Sequence, residues 1–452
     1  MVKRIFFFLI LAAAIAACSD NDSFTTSQSA RLTFATDSVK MDTIFSTVPS
    51  RTYDLWVYNR SNDGLRLNTV RLRHGNQTGF RVNVDGSYLD NTLGSVINDL
   101  EVRKGDSIRV FVELTAPENM QDEPQMIEDE LVFTLESGVE QVIHLRGWAW
   151  DAVVMRDVIV SSDSVITGSK PIIVYGGLRV DSAATLTVSH ATLYFHDQAG
   201  IDVYGTLLTD SVLMRGDRLD HMFDYLPYDR VSGQWRGIRL HPSSTGNHLV
   251  RSEIRNAETG IRCDSAAFTP DTPRLTMEYS IIHNSKGAGI EACNAFVRLN
   301  HCQLTNAQDD CLAIYGGQAY VDDCTIGQFY PFAGGRGAAL RFTNSHGDYP
   351  CGLHGFRMTN SIVTGYDKDV VMGERLEGDS VTLFSYAFLN NLLRTPKMED
   401  DTISFRDIIW ETPEDSIQGK QHFRLIDEDN LIYDFHLDSL STAKGLGCYK
   451  ME

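Results

Sequence analysis

The sequence predicts an all-β protein of two domains, an immunoglobulin-like β-sandwich followed by a parallel β-helix. Three observations carry this expectation. Between residues 31 and 150, short runs place apolar residues at every second position, the period of a half-buried strand. Turn-forming clusters such as Asn62-Asp63-Gly64 and Lys104-Gly105-Asp106 separate those runs. From residue 151 onward a polar–x–x–apolar unit recurs at spacings of 20 to 22, with longer gaps of 28 to 41 where loops are inserted, the signature of stacked rungs.

In chain order, residues 1–17 read as a targeting segment outside the fold. Lys3 and Arg4 form a basic start, and the apolar run at 5–17 follows. That run is shorter than the roughly 20 apolar residues a bilayer span requires, but it suits a secretory signal. It ends in "IAAC", which resembles the lipobox of bacterial lipoproteins. The resemblance implies cleavage before Cys18 and lipidation of that cysteine. "SDND" at 19–22 resembles the export signal that places Bacteroidetes lipoproteins on the outer face of the outer membrane. It implies an outer-membrane, lipid-anchored chain facing the cell exterior, with the membrane as its first partner. Residues 18–30 are then an acidic, polar tether. Each buried acyl methylene adds about 0.8 kcal/mol to such an anchor.

The formal net charge is −20, and loss of Lys3 and Arg4 with the leader deepens it by two. A chain this acidic has little long-range attraction for nucleic acid, which rewards cations facing phosphates. It also suits polyanionic glycans poorly unless a local basic cleft intervenes. Beyond Cys18 seven cysteines remain, with no Cys-x-x-Cys pair. Zinc-site spacing is therefore absent, and neither a metal nor a cofactor is expected.

The sandwich is expected over 31–150. "YDLWVYN" (53–59), "FRVNVDG" (80–86), "SIRVFVEL" (107–114), "LVFTLESG" (131–138) and "QVIHLRGWAW" (141–150) alternate. Six or seven such strands suit an immunoglobulin-like domain. It contains no cysteine, which excludes an inter-sheet disulfide. Such a domain serves as a spacer or docking module.

The β-helix is expected over 151–452. "RSEIRNAETGI" (251–261), "YSIIHNSKGAGI" (279–290), "HCQLTNAQDDCL" (301–312) and "NSIVTGYDKDVV" (360–371) share one pattern. Their apolar anchors are Ile254, Ile282, Leu304 and Val363, with Ile326 between the last two, and earlier copies centre on Leu193 and Leu213. Stacked rungs about 4.8 Å apart would join their inner faces into one apolar core. Asn256, Asn284 and Asn306 are expected at a tight corner, because Asn tolerates the left-handed conformation. Cys302 and Cys324 lie one period apart, so they can stack as buried thiols or form a disulfide.

Residues 178–207, "DRLD" (217–220), "YLPYDRVSGQWRGI" (225–238) and "MDTIFSTVPS" (41–50) resemble a family of Bacteroidetes surface lipoproteins with a right-handed parallel β-helix. The resemblance implies handedness and location, and no activity.

Two places draw attention as chemistry. "QDDCLAI" (308–314), with Asp309 and Asp310, is similar to the Asp-Asp-Cys motif of polygalacturonases. Those inverting enzymes need carboxylates about 6.5–9.5 Å apart across a sugar, so neighbouring rungs must contribute. The family's other elements fall on Asn284-Ser285-Lys286, Gly335-Arg336-Gly337 and Arg341-Phe342-Thr343. A lysine replaces the third carboxylate, an arginine the histidine, and a threonine the lysine of the clamp. Repeat register alone explains the motif, with Cys311-Leu312 standing where other rungs carry Gly-Ile. The two aspartates are then expected on a solvated loop. Asp322-Asp323 belongs to a different phase of the rung, which argues against a four-carboxylate calcium site. Neither a GxSxG elbow nor a phosphate loop is present.

The second place is an insertion at 216–237, "GDRLDHMFDYLPYDRVSGQWRG", where aromatics and charges interleave as sugar recognition requires. Asp224, Tyr225, Tyr228, Asp229 and Arg230 are its candidate ligand-binding residues, and Trp235 its buried hinge. The expected function is a non-catalytic surface module that binds a polysaccharide or a surface protein. The alternative is a carbohydrate-active enzyme, hydrolase or lyase, using Asp309 and Asp310.

Overall fold

The computed structural model describes residues 23–399 and 401–450. The leader, Cys18, Asp20 and Asp22 lie outside the described residues. The chain divides into two compact units, one reaching to Asp151 and taking Leu219–Met222 as well, the other holding the remainder.

The first unit is a sandwich of two five-stranded sheets. One orders Thr33–Phe34, Tyr53–Tyr58, Ser107–Leu114, Phe80–Val84 and Ser87–Tyr88. The other orders Ser38–Phe45, Glu140–Trp150, Gln125–Leu135, Leu65–Leu72 and Val96–Val102. Period-two patterning decides which face is buried: along Ser107–Leu114, Ile108, Val110, Val112 and Leu114 turn inward. In Leu65–Leu72 the inward set changes from Leu65 and Leu67 to Val70 and Leu72. A register shift against Gln125–Leu135 between Leu67 and Thr69 accounts for the change of parity. The ten strands exceed the six or seven read from alternation. Two of the extra ones are only two residues long, and Val96–Val102 does not alternate cleanly.

The second unit is a parallel β-helix whose rung strands, among the described residues, form one continuous 24-stranded sheet. Along the anchor column rung pairs with rung at a constant register. Met214 opposes Ile254, Ile254 opposes Ile282, and the column continues through Leu304, Ile326, Val363, Leu393 and Trp410. Three positions before each anchor stands a residue of positive φ: Ser211, Arg251, Tyr279, His301, Asp323, Asn360, Asn390 and Asp407. The polar residue of the repeated unit is thus the one that turns the corner. Left-handed backbone costs roughly 1–2 kcal/mol per non-glycine residue, so stacking must repay it at every rung.

This corner column corrects one anchor. Ser211 sets Met214, not Leu213, on the inner face, and Met214 is 0% exposed while Leu213 is half-buried. A one-residue slip exchanges the faces. A second corner carries Asn256, Asn284 and Asn306 at φ 62°, 61° and 58°. The Asn284 amide donates to Asn256 Oδ1 at 2.7 Å. Cys302 and Cys324 are free, buried and stacked, the Cys302 N–H lying 3.4 Å from Cys324 Sγ.

The core runs from Val160 to Leu393 without interruption. A separate apolar cluster joins Phe329, Ile362 and Leu392 on the rungs to Phe423, Phe435 and Leu437. It seats a C-terminal antiparallel hairpin, Phe423–Asp427 with Ile432–Leu437, on the outside of the β-helix.

Candidate functional site

Asp309 and Asp310 lie between Gln303–Ala307 and Leu312–Asp322, where one rung sheet passes to the next. Their environments differ. Asp310 is 7% exposed; it accepts from the Ala338 N–H at 2.6 Å and from Arg341 Nε at 2.7 Å. Arg341 also meets Glu374 at 2.8 Å. The solvated-loop expectation therefore fails for Asp310, because the next rung's backbone and an arginine close over it. Asp309 stays exposed. Partial burial and then the charge of Asp310 push its pKa above the ordinary aspartate value.

The register Glu291↔Ala313↔Arg341 brings a third carboxylate to this face. Ala313 is small and leaves open a cavity of about 340 Å³, lined by Glu291, Asp309, Asp310, Tyr315 and Arg341 among others. Reading the motif alone missed Glu291; the rung alignment of Ile290 with Leu312 would have placed it. The residues at the other polygalacturonase-like positions are engaged elsewhere. Lys286 faces Glu258 at 3.9 Å, Arg336 donates to the Tyr330 carbonyl at 2.7 Å, and Thr343 donates to the Ser345 carbonyl at 2.9 Å. Asp322 accepts from the Thr359 hydroxyl, while Asp323 pairs with Lys450 at 2.7 Å.

The insertion at 216–237 serves several ends. Leu219–Met222 clusters with the first unit, in which His221 Nδ1 lies 2.9 Å from Asp42 Oδ2. Asp224 is exposed, and Tyr225, 80% exposed, stacks on Phe223 at 5.7 Å. Tyr228 lies under the Arg218 guanidinium at 4.5 Å. Asp229 is gripped by Arg215 at 2.6 Å and by Arg255 at 3.3 Å. Arg230 donates to the Asn430 carbonyl at 2.5 Å. Trp235 is 1% exposed, stacks on Phe195 at 4.2 Å and donates to the Arg255 carbonyl.

Asp229 and Arg230 form one wall of a cleft of about 390 Å³. Asp224, Tyr225 and Tyr228 lie outside its lining. The floor is the outer face of three rungs, where Glu253, Ile281 and Gln303 are in register and Arg255 lies beside His283. The C-terminal hairpin supplies the far wall with Tyr433, and Phe332 stands in the lining 44% exposed. His283 Nδ1 lies 2.8 Å from Thr305 Oγ1. Burial, and secondarily the Arg255 charge, drive its pKa down to about 3, so the imidazole is neutral at ordinary pH. Tyr433 meets the His283 ring edge-on at 5.3 Å. Its hydroxyl is buried without a hydrogen-bond partner among the described residues. Glu253 and Arg255 pair at 2.5 Å, and the Tyr449 hydroxyl donates to Gln303 Oε1 at 3.0 Å.

Sequence reasoning found two of these cleft residues and missed His283, Gln303, Tyr433 and Tyr449. The signal for the hairpin was present in "FRLID" and "LIYDFHL" around "EDN", two alternating runs joined by a polar turn.

The family model of the right-handed β-helix region matches residues 158–326, which identifies the hand of the helix. No curated protein matches the sequence. Among solved structures, the catalytic unit of a GH87 α-1,3-glucanase from Streptomyces thermodiastaticus aligns at 10% identity and TM-score 0.24, covering 79% of this chain and 89% of that one. A PapD-like domain of human CEP192 aligns at 10% identity and TM-score 0.19, covering 28% of this chain and 92% of its own. The CooA pilin subunit of enterotoxigenic Escherichia coli aligns at 12% identity and TM-score 0.20, covering 26% and 96%. Likenesses this distant carry no function to the chain.

Proposed function

We propose that this chain is an outer-membrane lipoprotein of the Bacteroidetes type, anchored through Cys18 and facing outward, whose β-helix binds a glycan without cleaving it. The cleft between the rungs and the C-terminal hairpin carries the reading. It combines exposed aromatic surface at Phe332 with a buried, unpartnered hydroxyl at Tyr433. Tyr433 lines the cleft with its hydroxyl enclosed, so a ligand hydroxyl meets it only where the ring turns toward the cleft, and the partner gained then removes a cost of about 1–3 kcal/mol. Aromatic faces with a few convergent polar groups are what sugar rings need. The lipidation and export motifs support the location.

A second reading, hydrolysis, draws support from the cavity shared by Asp309 and Glu291. Partial burial and the Asp310 charge raise the pKa of Asp309, and Asp310 is committed to Arg341. Glycan-array binding beside a reducing-sugar release assay on the same panel separates the two. Binding that Tyr433→Phe and Phe332→Ala weaken, with no sugar release, supports the module. Sugar release abolished by Asp309→Asn would establish the enzyme instead. Binding indifferent to both cleft variants would remove the cleft from the proposal. Tyr225→Ala is expected to leave binding unchanged.

A further inference from the structure

We propose that Glu291, Cys293 and His346 form a binding site for a borderline-soft divalent cation, Zn²⁺ above all. A carboxylate oxygen of Glu291, Cys293 Sγ and a ring nitrogen of His346 all lie within 4.8 Å of one another. Tetrahedral zinc with these ligands holds donor atoms about 3.3–3.8 Å apart. The ligands need draw together by no more than about 1.5 Å, and His346 stands exposed on a short hairpin strand.

Placement in the fold supports recruitment rather than accident. Along Ile290–Asn300, Ile290 and Ala292 turn into the core while Glu291 and Cys293 take the alternate, outer positions. Cys263, Cys302, Cys311 and Cys324 belong to the apolar core, and Cys293 does not. Cys293 is nonetheless buried. His346 comes from a two-stranded hairpin, Ser345–His346 with Tyr349–Pro350, interposed between the rung strands Leu340–Thr343 and Leu353–Thr359. Tyr315, which pairs with Cys293 in register, packs against the His346 ring at 4.9 Å and orients it.

The donor set chooses the metal. Thiolate and imidazole select zinc-like ions over calcium and magnesium, which take oxygen ligands. Three protein ligands leave at least one position for water or a further group. Glu291 also faces Arg262 at 3.5 Å, a contact the cation would share. Cys293 binds such a cation as the thiolate, so binding releases its proton. The site shares no residue with the glycan cleft, so its fate is independent of the binding reading.

The test uses the full chain freed of metal by chelator dialysis, titrated with Co²⁺ and then with Zn²⁺. The expected result is one Co²⁺ per chain with a thiolate-to-cobalt charge-transfer band, which Zn²⁺ abolishes by displacement. Cys293→Ser should lose the band, and His346→Ala, an exposed position, should weaken binding by at least about tenfold. Far-UV circular dichroism of the metal-free variants checks that each is folded. Absence of the band in the wild type, or its persistence in the Cys293→Ser/His346→Ala double variant, would overturn the site.

Discussion

Replacing Asp310 by Asn separates two descriptions of the aspartate pair. If the pair sat on a solvated loop, the change would cost nothing measurable. In the fold, Asp310 Oδ1 accepts from the Ala338 N–H at 2.6 Å and Oδ2 from Arg341 Nε at 2.7 Å. Asn keeps one acceptor for Ala338 but turns an amide donor toward Arg341. A hydrogen bond to a charged group contributes about 1.5–3 kcal/mol. Full loss of a buried partner costs about 3–5 kcal/mol, but Arg341 is partly exposed and retains Glu374 at 2.8 Å. A destabilisation of about 2 kcal/mol is therefore expected. Because the chain has two compact units, a single unfolding midpoint would blur the effect. Amide hydrogen exchange read over Leu312–Asp322 and Leu340–Thr343 localises it, and protection there should fall. Asp309→Asn is the matched control. The raised Asp309 pKa disfavours ionisation in the folded state. Its contribution thus declines as pH rises from the unfolded towards the folded pKa, and Asn should be neutral or slightly stabilising at neutral pH. Unchanged protection in Asp310→Asn would refute the ion-pair account.

Met214→Asp should prevent folding of the β-helix, since an unpaired buried carboxylate costs several kcal/mol, whereas Leu213→Asp should yield soluble protein; recovery of soluble chain on expression distinguishes them. His283 is held neutral with a pKa of about 3 against 6.5 when unfolded. Its contribution is fully present above pH 6.5 and is lost as pH falls toward 3, so His283→Gln should flatten the stability profile of the β-helix over that window in chemical denaturation. Cys18→Ala should abolish lipid labelling and detergent partitioning. Replacement of Asp20 and Asp22 should retain the lipid but lose protease accessibility on intact cells, and full protection of the wild type would refute outward exposure.

Local periodicity made the architecture legible. The parity of alternation is a property of neighbours, and so is the polar corner three residues before each anchor. Ile254, Ile282, Leu304, Ile326 and Val363 could therefore be aligned from the chain alone and stand in one column. The Leu213 slip shows the limit: Leu213 and Met214 are both apolar, and only the backbone turn at Ser211 selects which faces inward. Asp309 and Asp310 were visible as a pair, but their inequality was not. It depends on Ala338 and Arg341, which arrive across an irregular loop about one rung away.

The cleft was further from reach. Its walls come from Asp229 and Arg230, from the outer face at Arg255 and His283, and from Tyr433, some 200 residues beyond the insertion. Outer-face positions on a β-helix share the rung register but vary in residue type, because the core does not constrain what they carry. The sequence by itself determined two all-β domains, the stacking register and the inward residues, since those follow from alternation repeated along the chain. Only the tertiary structure decided which segments outside the rungs meet the outward side chains, because the insertion and the C-terminal hairpin fold back onto rungs far away in the chain, and no repeat spacing records that pairing.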